Sequence, residues 1–465
     1  MKLIKRSKIL LLPYPAQGHV NPMMKLALAL VNCGFEPVMI TPEFIHRRII
    51  SSLDPKAKIV CMSVPDGLEK DVAIDFFAIE KVMENCMPIH LETLVRQIDE
   101  EDGRVACMIV DLLVSSAIEV GRRCGVPVAG FWPAMLATYQ LIAGIPDMVR
   151  MGLISETGSP QHSGPVRFLP NQPLLSIEDL PWLIGNPTAR KARFKFWTRA
   201  MNRSIDLQWL LVNSFPDPLD NNIYKINKPQ FHNNFTAAGK PLVYQVVPLT
   251  NKHATNSKNP SFWEEDTTSL QWLDEQKPNS VVYISFGSWV SPIGESKVKS
   301  LALALEAMKL PFIWVLGLAW REGLPVEYTE RISKQGKLVS WAPQVEILQH
   351  KAVGCYLTHC GWNSTMEAIQ CQKRLLCYPV AGDQFLNCAY IVEKWKIGIK
   401  MNGFAQKDVE DGLRKVMDDN EMNKRLIRLY DRTMGKEANL KAMANLNNFI
   451  DDMMKMSNES HHVGL

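Results

Sequence analysis

The sequence predicts an α/β protein with two lobes, each built around a parallel β-sheet. Short apolar strands alternate with amphipathic helices through about residue 240 and again from residue 243 onward, a pattern typical of repeated strand-helix-strand units. The chain has 465 residues, 46% of them hydrophobic, which is enough for two substantial cores. The Asn- and Lys-rich stretch 221–240 is predicted to be an exposed connection between the lobes.

Strands are predicted where a short apolar run is bounded by polar or turn-forming residues. In the first lobe, we expect them near residues 8–13, 36–41, 57–64, 105–110 and 126–131. In the second lobe, we expect them near residues 281–286, 312–316, 336–340, 354–358 and 375–378. A last helix is expected over roughly 434–454, followed by a disordered polar tail whose histidines are not expected to bind metal.

Polar and aromatic residues are concentrated in the segment 341–384, around one predicted helix N-terminus. Residues 353–359 form a predicted buried strand and residues 363–369 a predicted helix, with a Cys-Gly-Trp turn between them. The first N–H groups of a helix lack acceptors within it, and together with the positive end of the helix dipole they favour a phosphate. The pattern therefore predicts an anion site at this turn.

Side chains around this helix start can complete a nucleotide site. His359, Asn363 and Ser364 can donate hydrogen bonds to a phosphate, and Glu367 can accept both hydroxyls of a ribose. An alternative, compatible with binding, is that Ser364 and Glu367 form a capping box. Trp341 follows an apolar strand and precedes a proline, so its ring is expected at a strand end, where it can stack on a base. An ordinary core tryptophan is the alternative.

A histidine follows the first predicted strand of the chain. Asn21 is the predicted N-cap and Pro22 the first residue of an amphipathic helix, which leaves His19 in a strand-to-helix loop at the carboxyl edge of the sheet. Open α/β sheets bind ligands at such edges. An imidazole changes its charge near neutral pH, as a general base requires. The alternative is an ordinary surface histidine.

Asp111 is the candidate partner of this histidine. It ends the apolar strand 105–110 and precedes a helical stretch, so it lies at the same sheet edge as His19 if the two strands are parallel. A carboxylate there would fix the imidazole tautomer and stabilise the imidazolium. The alternative is an ordinary aspartate before a helix.

Two segments resemble the motifs of plant family 1 UDP-glycosyltransferases. The box 341–384 begins with WAPQ, carries HCGWNS with a Glu three residues on, and ends with DQ, while residues 13–22 read PYPAQGHVNP. The resemblance implies a GT-B fold, with two Rossmann-like lobes facing a cleft. It makes residues 1–240 the acceptor-binding lobe with the catalytic histidine and residues 241–433 the donor-binding lobe. Residues 434–465 would return to the first lobe as a C-terminal helix with a polar tail.

The resemblance gives the box the role of binding a UDP-sugar. Trp341 would stack on uracil, Gln344 would bond to the ribose or the base, and Glu367 would bind the ribose hydroxyls. Asp383 and Gln384 would hold the sugar, and the final Gln makes UDP-glucose the expected donor. The complete predicted donor-binding set is Ser288, Trp341, Ala342, Gln344, His359, Trp362, Asn363, Ser364, Glu367, Asp383 and Gln384.

The resemblance also makes His19 the catalytic base and Asp111 its partner. His19 would take the proton of an acceptor hydroxyl as that oxygen attacks the anomeric carbon, in a single displacement with inversion. The helix N-terminus, His359 and Ser364 would stabilise the departing diphosphate. Ser288 would lie near the phosphates, although a simple tight turn explains the Gly-Ser sequence equally well. We expect neither a metal nor another cofactor.

Two features depart from the family pattern. Gln372-Lys373-Arg374 stands where the family usually has Gly-Val-Pro or similar, and Pro133 where many relatives have a Thr or Ser that touches the sugar. The two basic side chains are expected either to be solvated or to contact the donor. These departures leave open a catalytically weak UDP-sugar-binding regulatory protein. A Rossmann oxidoreductase is a further alternative, but the first strand lacks the GxGxxG turn.

Composition narrows the partners and the compartment. The net charge of +4 comes without a dense basic patch, so nucleic acid is not an expected partner. Ten cysteines without a CxxC pair indicate reduced core residues and a cytoplasmic protein. The apolar run after the basic N-terminus is too short for a signal peptide, and no run approaches the roughly 18 to 20 residues of a membrane span.

The expected partners are a UDP-sugar and a small-molecule acceptor, bound by a monomer without integral membrane association. Apolar segments at 134–145, 180–184 and 194–197 would suit a flat or apolar acceptor. Ordinary core packing is the alternative for each of them. The acceptor group can be an alcohol, a phenol or a carboxylic acid.

Overall fold

The computed structural model describes residues 7–53, 55–68, 75–102, 105–168, 172–216, 241–249, 263–287 and 293–462. The chain divides into two compact units. The first comprises Met1–Ile142, Phe196–Phe262 and Lys436–Leu465, and the second comprises Ala143–Lys195 and Trp263–Gly435. The predicted connection 221–240 lies outside the described residues.

Strands and helices alternate along the described chain. The strands are β1 (Lys8–Leu12), β2 (Glu36–Pro42), β3 (Val60–Val64), β4 (Val105–Asp111), β5 (Val128–Trp132), β6 (Pro165–Val166), β7 (Leu175–Ser176), β8 (Trp209–Val212), β9 (Leu242–Gln245), β10 (Val281–Ser285), β11 (Phe312–Val315), β12 (Gly336–Val339), β13 (Val353–Thr358), β14 (Arg374–Cys377) and β15 (Gly398–Lys400). The helices are α1 (Gln17–Asn32), α2 (Glu43–Ser52), α3 (Phe76–Lys81), α4 (Met87–Asp102), α5 (Ser116–Arg123), α6 (Leu136–Ala143), α7 (Ile145–Arg150), α8 (Pro187–Ser204), α9 (Thr268–Asp274), α10 (Glu295–Met308), α11 (Tyr328–Arg331), α12 (Gln344–Gln349), α13 (Trp362–Gln370), α14 (Gln384–Ala389), α15 (Gln406–Asp418), α16 (Asn420–Thr433) and α17 (Lys436–His462).

The first unit is built on a parallel sheet with the strand order β3-β2-β1-β4-β5-β8-β9. Strand β4 is buried along its whole length, which is why it reads as a continuous apolar run. Strands β1 and β4 are neighbours in register, with Leu12 opposite Val110. Their carboxyl ends therefore lie side by side at one edge of the sheet.

The second unit has its own parallel sheet, in the order β12-β11-β10-β13-β14-β15. Counted from β10, this is the 3-2-1-4-5-6 order of a doubly wound nucleotide-binding fold, in which the order reverses between the first and fourth strands. Those two strands, β10 and β13, pair along their length, with Ser285 opposite Thr358. Ligands of such sheets bind beyond the carboxyl ends of these strands.

The prediction of two parallel-sheet α/β lobes is confirmed. The division of the chain between the two units, however, does not follow the predicted boundary at residue 240. Strand Leu242–Gln245 completes the first sheet, because it pairs with β8. Residues 143–195 belong to the second compact unit, although they precede most of it in sequence. Apolar patterning indicates burial but does not say against which core a segment packs, so neither feature was visible in the sequence.

The last helix, α17, belongs to the first unit. Phe449 is buried, with its ring centroid 5.8 Å from that of Trp209. Asn445 donates to the carbonyl of Gln245 at 2.8 Å, and Tyr244 donates to the carboxylate of Asp452. The helix continues to His462, past the predicted end and into the stretch expected to be a disordered tail. In the described part of the chain, no helix has the length and apolar character needed to span a bilayer.

Candidate active site

Helix α1 begins earlier than the sequence predicts. Its N-cap is Ala16, whose carbonyl accepts hydrogen bonds from the N–H groups of His19 and Val20, both at 2.9 Å. His19 is therefore the third residue of the helix and does not lie in a loop before it. The predictions of Asn21 as the N-cap and Pro22 as the first helical residue are wrong. Pro22 lies inside the helix and is buried. Because proline has no N–H, the helix lacks one interior hydrogen bond at this position.

The structure brings His19 and Asp111 together. The His19 Nδ1 atom lies 2.7 Å from Asp111 Oδ2, and the aspartate is fully buried at the end of β4. The N–H groups of Tyr14 and Leu113 also donate to this carboxylate, at 3.3 and 3.0 Å. A carboxylate can only accept, so the contact places the imidazole proton on Nδ1 and leaves Nε2 able to take another. The His19 side chain remains 21% exposed, so a substrate can reach the ring.

The predicted turn between a buried strand and a helix is present in the second unit, and phosphate binding there stays a prediction. Strand β13 ends at Thr358, and α13 begins at Trp362 with Gly361 as its N-cap. The helix starts one residue earlier than predicted, and Gly361 has no side chain with which to cap it. The capping-box alternative for Ser364 is therefore wrong, because Ser364 is already in the first turn of the helix. Trp362 is buried, and Asn363 is half-buried next to it.

His359 is packed tightly between two glycines. A Cβ atom at Gly287 would lie 2.6 Å from His359 Nε2, and one at Gly361 would lie 2.4 Å from the same atom. Burial lowers the pKa of His359 to about 4, so the ring is neutral at neutral pH. None of the described residues makes a hydrogen bond to its buried Nδ1. A neutral ring can offer a single N–H to a ligand without the cost of burying a charge.

Gln344 is the centre of a hydrogen-bond network in the same unit. Its amide nitrogen donates to Ser364 Oγ at 3.2 Å and to Glu367 Oε2 at 2.6 Å. Its amide oxygen accepts from the hydroxyls of Tyr283 and Tyr356, at 3.2 and 3.1 Å. Both lone-pair positions and both N–H groups of the amide are thus used within the protein. This network orients the carboxylate of Glu367.

The remaining box residues lie at strand and helix ends. The Trp341 ring lies against Trp263, with centroids 4.6 Å apart and planes inclined by 35°, and Ala342 beside it is buried. The Gln384 Oε1 atom accepts from the N–H groups of Val380 and Ala381, both at 2.9 Å, which leaves its amide nitrogen for another partner.

Asp383 precedes helix α14 and is oriented from within it. Asn387 Nδ2 donates to Asp383 Oδ2 at 2.8 Å and also to the carbonyl of Cys360 at 3.0 Å. Asn387 is fully buried, so it links the loop that carries Asp383 to the turn after His359. Ser288, which was predicted to lie near the phosphates, is outside the described residues.

The two basic residues that depart from the family pattern are structural. Lys373 Nζ donates to the carbonyls of His350 and Val353, at 3.1 and 2.9 Å. Arg374 donates to the carbonyl of Met417 at 2.7 Å. The expectation of simple solvation is therefore wrong, whereas contact with a donor stays a prediction. The side chains satisfy backbone acceptors around β13, which sequence spacing does not reveal.

Sequence reasoning missed three polar residues that organise this site. Tyr283 and Tyr356 are neighbours on β10 and β13, with ring centroids 5.0 Å apart, and Asn387 lies in α14. The available signal was a tyrosine within each of two otherwise apolar strands, since a buried hydroxyl needs a partner. That signal indicates a polar network but does not identify Gln344 as its acceptor.

Known proteins resemble this chain over most of its length. A family model described as UDP-glucoronosyl and UDP-glucosyl transferase matches residues 191–443. UDP-glycosyltransferase 82A1 of Arabidopsis thaliana is 54% identical over 456 residues, which cover 96% of this chain and 98% of that protein. The chain belongs to the UDP-glycosyltransferase family. It is a glycosyltransferase enzyme of the plant type that its motifs resemble.

Solved structures confirm the GT-B fold of this UDP-glycosyltransferase. Os79 from O. sativa in complex with UDP superposes with a TM-score of 0.77 at 23% identity, covering 96% of this chain and 100% of that one. UGT71G1 of Medicago truncatula, complexed with UDP-glucose, superposes with a TM-score of 0.75 at 23% identity, covering 97% and 98%. At these identities the likeness concerns the fold.

Proposed function

We propose that this UDP-glycosyltransferase transfers glucose from UDP-glucose to a hydroxyl or carboxyl group of a small, largely apolar plant metabolite, with inversion at the anomeric carbon. The observation that carries the proposal is the 2.7 Å contact between His19 Nδ1 and the buried carboxylate of Asp111. A histidine held in this way by a carboxylate is equipped to act as a general base.

In the proposed reaction, His19 Nε2 takes the proton of the acceptor hydroxyl as its oxygen attacks the anomeric carbon. The new C–O bond forms as the bond to the UDP oxygen breaks, so one displacement converts the α-linked donor into a β-glucoside and UDP. Asp111 stabilises the imidazolium that forms. An acceptor carboxylate would need no base, and for it the dyad would only orient the nucleophile.

The second unit supplies the proposed donor site. The start of α13 and the neutral His359 suit a diphosphate, and the oriented carboxylate of Glu367 suits the ribose hydroxyls. Trp341 offers a ring for uracil, and Asp383 and Gln384 offer polar groups for the sugar. Two features support glucose as that sugar: the Gln at the end of the box, and UDP-glucose as the ligand of the Medicago truncatula relative.

Incubation with labelled UDP-glucose and a pooled plant metabolite extract, with products identified by mass, tests donor and acceptor together. We expect a labelled product whose mass exceeds that of its acceptor by one hexosyl residue. His19→Ala should abolish its formation, whereas His90→Ala, an exposed histidine on α4, should leave it unchanged. Full activity of His19→Ala would contradict the proposed mechanism, and failure of UDP-glucose beside success of another UDP-sugar would contradict the donor.

A further inference from the structure

Three cysteines from separate elements meet in the second unit. Cys360 follows β13, Cys377 ends β14 and Cys388 lies in α14, and all three are buried. Their Sγ atoms all lie within 4.8 Å of one another. The cysteines are far apart in sequence and form no CxxC pair, so the sequence pattern did not reveal the cluster. None of the steps proposed for glucosyl transfer uses these thiols.

The spacing of the sulfur atoms fits a metal ion. A bond between zinc and a thiolate is about 2.3 Å long, so three sulfurs around one ion lie about 4 Å apart. The three sulfurs, all within 4.8 Å of one another, need shifts of only about an ångström to reach this arrangement. Thiolates are soft ligands and select thiophilic ions over Mg²⁺ or Ca²⁺.

The charges of the cluster favour a divalent ion. Three thiolates with a divalent cation leave a net charge of −1, whereas a monovalent cation would leave −2 in the same buried place.

We propose that Cys360, Cys377 and Cys388 bind a thiophilic divalent cation of the zinc group. Each ligating thiol gives up its proton to solvent, so binding releases protons and is weaker at low pH. The three described sulfurs leave a fourth position of a tetrahedral ion for a water molecule.

Binding at this cluster would reach the donor site through short covalent and hydrogen-bonded links. Cys360 directly follows His359, and its carbonyl accepts from Asn387, which also orients Asp383. Drawing the sulfurs together moves both segments, so the bound cation inhibits transfer. This inhibitory effect rests on the proposed function, but metal binding itself does not.

Titration of the phosphine-reduced, metal-free protein with Cd²⁺ tests binding without using activity, because thiolate-to-cadmium charge transfer absorbs in the ultraviolet. We expect wild type to bind one more saturable equivalent of Cd²⁺ than either Cys377→Ser or Cys388→Ser. Cys355→Ser is the matched control, since Cys355 is equally buried on β13 but lies outside the cluster, and it should keep the full absorbance. Zn²⁺ should compete for the same equivalent.

Further results of the titration would overturn the proposal. If wild type bound no more Cd²⁺ at saturation than Cys388→Ser does, the metal site would be overturned. Loss of the absorbance in Cys355→Ser alone would overturn it as well. Because a folding defect could also abolish the signal, each variant is checked for UDP binding. Wild type that binds no saturable equivalent of Cd²⁺ overturns the proposal whatever the variants do.

In activity assays, Zn²⁺ should inhibit wild type reversibly and should inhibit Cys388→Ser several-fold less. An inactive wild type with intact cadmium binding would contradict only the proposed function.

Discussion

The amide nitrogen of Gln344 donates a hydrogen bond to the carboxylate of Glu367 at 2.6 Å. The amide oxygen of Gln344 accepts hydrogen bonds from the hydroxyls of Tyr283 and Tyr356, which belong to the two central strands of the second sheet. The carboxylate proposed to bind ribose is therefore fixed by the sheet before any nucleotide arrives. Such preorganisation reduces the ordering that binding must bring about.

Removing one of these hydroxyls should weaken nucleotide binding without touching the nucleotide. Tyr356→Phe leaves Gln344 with one tyrosine donor, and loss of a neutral hydrogen bond of about 1 kcal/mol corresponds to a roughly fivefold higher Kd for UDP. Calorimetric titration with UDP measures this change. Tyr328→Phe is the control, because that buried hydroxyl donates to Ala302 in the same unit. Equal Kd changes in both variants would argue against a specific role of the network.

Asp111→Asn should impair catalysis far more than binding. The amide offers an N–H where His19 Nδ1 needs an acceptor, so the tautomer with a basic Nε2 is lost, and we expect the transfer rate to fall by about 100-fold or more. UDP affinity should remain within a factor of about two, because the dyad lies in the other compact unit.

The matched variant for this experiment is Asp66→Asn. Asp66 is also a buried carboxylate in the first unit that accepts backbone N–H groups, here those of Phe44 and Leu68. Steady-state rates of the two variants should differ by at least tenfold. A comparable loss in both would assign Asp111 a structural role only.

The burial of His359 predicts a pH dependence of stability. Its pKa is lowered from 6.5 to about 4, so between these values the unfolded chain binds a proton that the folded chain does not. The free energy of unfolding therefore rises with pH from about 4 to 6.5, and this residue contributes a loss of about 3 kcal/mol on acidification across that range. Urea unfolding of wild type and His359→Gln at several pH values measures it. Identical pH slopes would refute the assignment.

A methyl group at Gly287 should displace the His359 ring. The added Cβ would lie 2.6 Å from Nε2, and the φ of +84° adds backbone strain. Gly34→Ala separates the two effects, because Gly34 has a φ of +93° but nothing within 4 Å of its Cβ. Backbone strain should destabilise both alanine variants by about 1 kcal/mol, and Gly287→Ala should lose more because the His359 ring must also move. Only Gly287→Ala should weaken UDP binding, as measured by titration, and normal affinity in that variant would mean that the ring position is not critical.

Much of the fold was predictable, because buried parallel strands are continuous apolar runs. The strands at 105–110 and 281–286 were predicted within one residue of β4 and β10. Strands β8 and β9 were not assigned, since each has only four residues next to polar stretches. The start of α1 was misplaced because Asn21 and Pro22 form a strong capping signal, which tertiary packing overrides.

The site was predictable where a residue acts by its own chemistry. The pairing of His19 with Asp111 was expected from two strands ending at one sheet edge together with the family resemblance, and it is present. The roles of Lys373 and Arg374 depended on which carbonyls lie nearby, and those come from other elements of the second unit. Because both side chains donate to backbone carbonyls, the departure from the family pattern at these two positions no longer argues for a catalytically weak protein.

Helix α17 follows the whole second unit in sequence but packs into the core of the first unit. Leu446, Phe449 and Met453 are fully buried in the cluster that also contains residues of β1 and α1. During synthesis, the amino-terminal strands emerge from the ribosome hundreds of residues before these partners. The first unit therefore cannot close its core until α17 has been translated, whereas the residues of the second unit have all emerged by then.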